Sequence, residues 1–119
     1  MSELSTPLMN FLERALDVTS QRHQLVVTNM ANIDTPGYRT KDLDFRSELQ
    51  RAVTPGEGNI LAVARNVSGL VERPDGNDVS IDREGLLLAE TQMQFGLSVQ
   101  LMQHEFHNLL YTINEGNKS

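Results

Sequence analysis

Asn29-Met30-Ala31-Asn32-Ile33-Asp34-Thr35-Pro36-Gly37-Tyr38 decides how this chain is organised. An amphipathic helical pattern runs into the segment and cannot run out of it. Proline disfavours the helical region for the residue before it, so Thr35 is pushed to an extended conformation. Pro36-Gly37 suits the central pair of a type II turn, with glycine supplying the positive φ. Asn32 tolerates a left-handed cap conformation and offers its amide to the loose carbonyls of the last helical turn. The segment reads as a helix stop that redirects the chain.

Upstream of the stop, a helix is expected over residues 5–33. Ser5 or Thr6 can cap it, and Pro7 falls at the first helical position, where its missing N–H costs little. Met9, Leu12, Leu16, Thr19, His23, Val26, Met30 and Ile33 follow one another in alternating steps of three and four, a heptad rhythm. A second helix is expected over residues 83–114. Phe95, Val99, Met102, Phe106, Leu109 and Ile113 keep the same alternation, and Leu86, Leu87, Met93, Leu97, Leu101 and Leu110 broaden the stripe. Two helices of matching period should pair with left-handed supercoiling. The expected fold is therefore mainly α: a single domain whose long terminal helices form a coiled-coil-like hairpin around a turn and variable middle, residues 34–82.

Two helices alone bury only one seam, and the rest of their surface is unusual. Residues 91–113 carry a single formal charge, Glu105, and residues 18–33 carry only Arg22. Glutamine, threonine, serine and asparagine occupy the remaining polar positions, whereas freely solvated helices are normally rich in Lys and Glu. Neutral faces beside a broad apolar stripe suit surfaces that meet other helices. Leu12, Leu16, Val26, Met30 and Ile33 on the first helix, and the Phe95-to-Ile113 series on the second, are the expected packing and assembly positions.

The middle is more charged, with Arg39, Lys41, Asp42, Asp44, Arg46, Glu48 and Arg51 close together. Residues 53–59 read as a flexible loop. Ile60–Ala64 and Ser68–Glu72 can form short strands, and Pro74-Asp75-Gly76-Asn77 is a turn ahead of Val79-Ser80-Ile81. A small hairpin and an extended segment ordered against a partner are both open. Asp82 can cap the final helix, while Glu84 in its first turn favours the positive end of the dipole. Gly85 costs about 1 kcal/mol inside a helix, so the helix is expected to start late or fray there.

Composition closes off several function classes. Sixteen acidic against ten basic residues give a net charge of −6, the wrong sign for nucleic acid, which wants clustered Lys and Arg. No cysteine is present for disulfides or thiolate metal sites. Residues 1–7 lack the basic region and apolar core of a cleavable secretory signal, and no stretch reaches the roughly 18 consecutive apolar residues of a membrane span. His104-Glu105-Phe106-His107 is not the His-Glu-x-x-His zinc pattern and has no evident third ligand. His23 lies in the heptad seam, where a packed histidine is commoner than a reactive one. Asp42 and Asp44 sit in a charged segment without an apolar pocket to raise a pKa. No phosphate loop or nucleophile elbow occurs, so neither an enzyme nor a cofactor is expected.

Asn29, Ala31, Asn32, Thr35, Pro36, Gly37 and Tyr38 resemble the signature of the bacterial flagellar rod and hook family, in which a long N-terminal helix runs into Ala-Asn-x-x-Thr-Pro-Gly-Tyr. Arg39-Thr40-Lys41-Asp42-Leu43-Asp44-Phe45 and Gly76-Asn77-Asp78-Val79-Ser80-Ile81-Asp82-Arg83-Glu84 are similar to segments of its short proximal rod members. The Leu109-Leu110-Tyr111-Thr112-Ile113 end fits as well. Thr28, Ser80 and Gly85 are small departures from that pattern. The resemblance implies a structural subunit of the basal-body rod, exported unfolded without a cleaved signal, partly disordered as a monomer and assembled in the periplasm. Implied partners are other copies of the chain, the other rod subunits, a rod-junction adaptor, the inner-membrane ring protein and the flagellar export apparatus. It also suggests that Asn77 to Glu84 align the last helix against the Thr-Pro-Gly-Tyr turn, with Tyr38 as an anchor. Two other readings are compatible with the heptads: the second kind of short proximal rod subunit, and a cytoplasmic coiled-coil adaptor or export chaperone.

Overall fold

A computed structural model describes residues 6–54 and 61–118. Two long helices, α1 (Pro7–Ala31) and α3 (Ile81–Lys118), run antiparallel. Between them lie β1 (Lys41–Leu43), a short helix α2 (Phe45–Ala52) and β2 (Ala64–Asn66). The molecule is elongated, 71 × 28 × 18 Å.

Helix α1 begins as its sequence dictates. Thr6 is extended and its hydroxyl accepts the Met9 N–H at 3.0 Å, with Pro7 opening the first turn. The helix ends one turn before Pro36. Asn32 caps it without entering the left-handed region (φ −103°), and its side-chain amide donates to the Thr28 carbonyl at 2.8 Å. The expected type II turn is present: the Tyr38 N–H donates to the Thr35 carbonyl at 3.2 Å, and Gly37 has φ +75°.

Helix α3 departs from expectation at its start. It opens at Ile81 and is continuous through Gly85. Ser80 is the cap, its hydroxyl accepting the Arg83 N–H at 3.3 Å; Asp82 sits inside the first turn instead. The sheet also differs. Ala64 opens β2 while residues 68–72 lie outside the sheet; β1 pairs antiparallel with β2, Asp42 opposite Arg65, and Ile60 of the first expected strand lies outside the described residues. Most of the loop expected over 53–59 lies outside the described residues. The charged stretch after Asp44 forms α2, capped by the Asp44 carboxylate on the Ser47 N–H at 3.2 Å. Its buried Glu48 accepts from Arg51 at 3.0 Å and lies 3.4 Å from Arg14.

The intrachain core is a narrow seam. From α1 it takes Leu12, Ala15, Val18, Thr19, Val26 and Asn29; from the chain entering α3 and the helix itself, Val79, Glu84, Leu87, Thr91 and Ser98. The heptad period holds, but the inward edge of α3 is its small and polar one. Leu16, Met30, Ile33, Val99, Met102 and Leu109 are half-buried beside the seam, whereas Phe95, Phe106 and Ile113 remain exposed. Thr6 at the start of α1 meets Glu105 across the pair. Thirteen residues of α3 follow Glu105, so the helix projects about 20 Å beyond that crossing.

Gly76 has φ +86°, and a Cβ there would stand 3.3 Å from the Gly37 Cα. Gly76→Ala should therefore lower stability by about 1–2 kcal/mol in urea unfolding. Gly85 is helical with open space around it, so Gly85→Ala should raise stability by about 0.5–1 kcal/mol in the same assay.

Candidate assembly site

The end of the helix pair nearest the Thr-Pro-Gly-Tyr turn is held by a buried polar lock. Its centre is the side-chain amide of Asn29, which is 1% exposed. The amide nitrogen donates to Glu84 Oε1 at 2.5 Å and to the Lys41 carbonyl at 2.8 Å. The amide oxygen accepts from the Tyr38 hydroxyl at 2.9 Å and from the Lys41 N–H at 3.1 Å. One side chain thus pairs with both backbone groups of Lys41 as a neighbouring strand would, and also reaches α3. All four of its hydrogen-bonding positions are filled.

Glu84 has no exposure to water, so its charge needs partners inside the protein. Arg83 donates to its Oε2 at 2.7 Å and to Asp42 Oδ2 at 2.7 Å. Arg22 on α1 grips the same Asp42 with two hydrogen bonds, 3.0 and 3.1 Å. Two guanidinium groups and two carboxylates therefore tie α1, β1 and α3 together. Asp42 is not part of a loose charged segment: it is held between two arginines. Burial alone would raise its pKa, but hydrogen bonds and charge from Arg22, the Leu43 N–H and a hydrogen bond from Arg83 outweigh it and lower the value.

A second layer joins the two turns. The Asn77 amide donates to the carbonyls of Asn32 (2.9 Å) and Thr35 (2.8 Å), while its oxygen accepts the Val79 N–H at 2.8 Å. Gly37 N–H donates to the Asp75 carbonyl at 2.8 Å. Arg73 donates to the Val79 carbonyl at 2.9 Å and also to the Ile33 carbonyl. Buried Asp78 accepts the Thr40 N–H at 2.6 Å and faces Arg39 at 3.5 Å. The segment from Asn77 to Glu84 thus meets the Thr-Pro-Gly-Tyr turn, and Tyr38 sits at the junction. Burial, then the charges of Glu84 and Asp78, raise the Tyr38 pKa, keeping the hydroxyl protonated as a donor.

Of the motif residues, Asn29 and Tyr38 enter the lock through side chains, and Asn32 and Thr35 through backbone carbonyls. Pro36 and Gly37 shape the turn, and Ala31 is exposed beside it. Sequence reasoning missed Arg22, Thr40 and Asp42, and it read Glu84 only as a complement to the helix dipole. One signal was available: Glu84, Leu87, Thr91 and Ser98 continue one heptad, which places an acid in the seam.

Away from the lock, α3 is apolar on its outer side. Leu86, Met93, Leu97 and Tyr111 are each at least 55% exposed, and Phe95, Leu101, Phe106, Leu110 and Ile113 are partly so. His104 and His107 are exposed, and no group of three metal-ligating side chains occurs among the described residues. No described helix is long and apolar enough to cross a membrane.

Asn29→Ala would strand the Glu84 carboxylate and the Lys41 backbone together; a loss on the order of 3 kcal/mol is expected by urea unfolding. The acid side is also specified. Because Asp42 has a depressed folded-state pKa, its contribution is present above the unfolded value near ~3.9 and is lost as pH falls through the folded value. Asp42→Asn should lower stability at neutral pH and flatten its decline below about pH 4, read from unfolding midpoints across pH.

No family model matches the chain. Three relatives are similar along most of their length. The flagellar basal body rod protein FlgB of Escherichia coli is 27% identical over 130 aligned positions, covering 92% of this chain and 94% of the relative. FlgB of Buchnera aphidicola is 27% identical, covering 89% and 93%. FlgB of Borreliella burgdorferi is 29% identical, covering 85% and 91%. Similarity through nearly the whole of both chains, joined to the turn motif and the paired terminal helices, is what this chain shares with the FlgB flagellar basal body rod proteins.

Proposed function

We propose that this protein is a structural subunit of the flagellar basal-body rod, built to be packed against other subunits and to transmit torque towards hook and filament. The observation that carries the reading beyond similarity is α3. A helix with large apolar side chains exposed on its outer side is suited to further packing, and among the described residues its own chain covers chiefly the small, polar inward edge, through α1. The lock fixes the two helices at one end, and their neutral outer faces are left for neighbours.

In this reading the assembled rod is stiff because many apolar side chains interdigitate, not because of any single bond. The chain works in the basal body alongside other rod components. The finer placement is a periplasmic rod position reached through the flagellar export apparatus, next to the rod-junction adaptor and the inner-membrane ring. Leu12, Leu16, Val26, Met30 and Ile33 support α1 in the pair, and Phe95, Val99, Met102, Phe106, Leu109 and Ile113 extend from the flank of the seam to the outer contacts. The full-length similarity to FlgB proteins favours this over the second short rod subunit and over a cytoplasmic adaptor.

Phe106 separates folding from assembly. It is 49% exposed, so Phe106→Asp should change the stability of the isolated chain by no more than about 0.5 kcal/mol. Motility in soft agar should nevertheless be lost, because the same charge would be buried once subunits pack. Normal swimming of this variant would count against the outer face of α3 as an assembly surface.

A further inference from the structure

Phe11 of α1 and Phe45, Leu49 and Val53 at α2 line an open groove of about 370 Å³, with exposed Arg46 and Gln50 beside them. The projecting part of α3 carries a ridge: Phe106, Leu110 and Ile113, exposed by 49%, 41% and 36%. Their spacing of four and then three sets them on one helical stripe, the arrangement by which a helix anchors in an apolar groove.

We infer that this groove receives the α3 tip of a second copy of the same chain, the Phe106–Leu110–Ile113 ridge lying between α1 and α2. The inference rests on the rod reading. A subunit that adds head-to-tail in an open array needs two different surfaces that fit one another. The ridge and the groove are such a pair, one convex and one concave, both apolar. The tip cannot turn back into the groove of its own chain, since α3 continues as one unbroken helix past the Thr6–Glu105 crossing. Charge fits as well. Residues 106–114 include no Asp, Glu, Lys or Arg, so the ridge enters without burying a formal charge. The tip is the C-terminal end of α3, which carries the negative part of the helix dipole, and Arg46 beside the groove supplies the positive complement. The smaller cleft at Thr19, His23 and Phe95 lies on the seam itself and offers no such matched partner surface.

The chain has no cysteine, so single thiols can report the contact. Leu49→Cys and Ile113→Cys variants would be co-expressed, and basal bodies purified and oxidised with copper–phenanthroline. Each variant should be recovered in the purified basal bodies; Val53→Cys and Leu110→Cys replace any that is not. The expected product is a disulfide joining one copy of each variant, lost when Gln24→Cys on α1 replaces Leu49→Cys. Disulfides joining only like variants, or no cross-link although both variants are present in the basal bodies, would overturn the inference and leave the rod reading standing. Absence of the unmodified chain from basal bodies would overturn both.

Discussion

A carboxylate sealed from water must be neutralised by what surrounds it, and Glu84 is fully sealed. The Asn29 amide and the Arg83 guanidinium meet that requirement together. Everything that orients the two long helices at this end follows from the way those partners are placed. Asn29 can face Glu84 only if α1 and α3 are antiparallel in this register. It can pair with Lys41 only if the turn after Ala31 brings the chain back along the helix. Arg83 in turn reaches Asp42, which Arg22 already holds. A buried ionic cluster of this kind adds little net stability over a well-packed apolar one, but removing one member is costly. Its effect is to specify a single register in a seam otherwise made of small, neutral and interchangeable side chains such as Ala15, Thr19, Thr91 and Ser98.

That division of labour makes sense of the rest of the molecule. At the lock end, the Asn29, Asp42, Asn77 and Glu84 side chains are paired within the chain and the two turns interlock, with Gly76 against Gly37. At the other end, α3 runs on past the start of α1 with Leu110, Tyr111 and Ile113 exposed. The chain is tied together at one end and leaves apolar side chains exposed at the other. A rod subunit needs both: a fixed frame that sets the direction of its helices, and apolar surface left over for packing in the assembled shaft.

Much of this is legible in the sequence. Pro36 and Gly37 dictate the turn through backbone sterics alone, and Thr6-Pro7 dictates the start of α1, so both were readable from local sequence. The heptad spacing gave two long helices and their pairing. What it could not give is which edge of a broad apolar stripe faces inward. In α3 the inward edge is Thr91 and Ser98, and the larger Phe95 and Phe106 lie outside it, because periodicity fixes a repeat but not its phase. Helix α2 escaped notice because eight residues with three formal charges show too little pattern, and its burial of Glu48 depends on Arg14 from a distant element. The lock was partly visible as motif residues. The partnership of Asn29 with Glu84 spans 55 positions and exists only once the helices have paired.

The central claim is that this protein is part of the rod itself. Electron microscopy of flagellar basal bodies from cells lacking its gene tests that most directly. The account predicts basal bodies with membrane rings but without rod, hook or filament. Intact rods in those cells would contradict it.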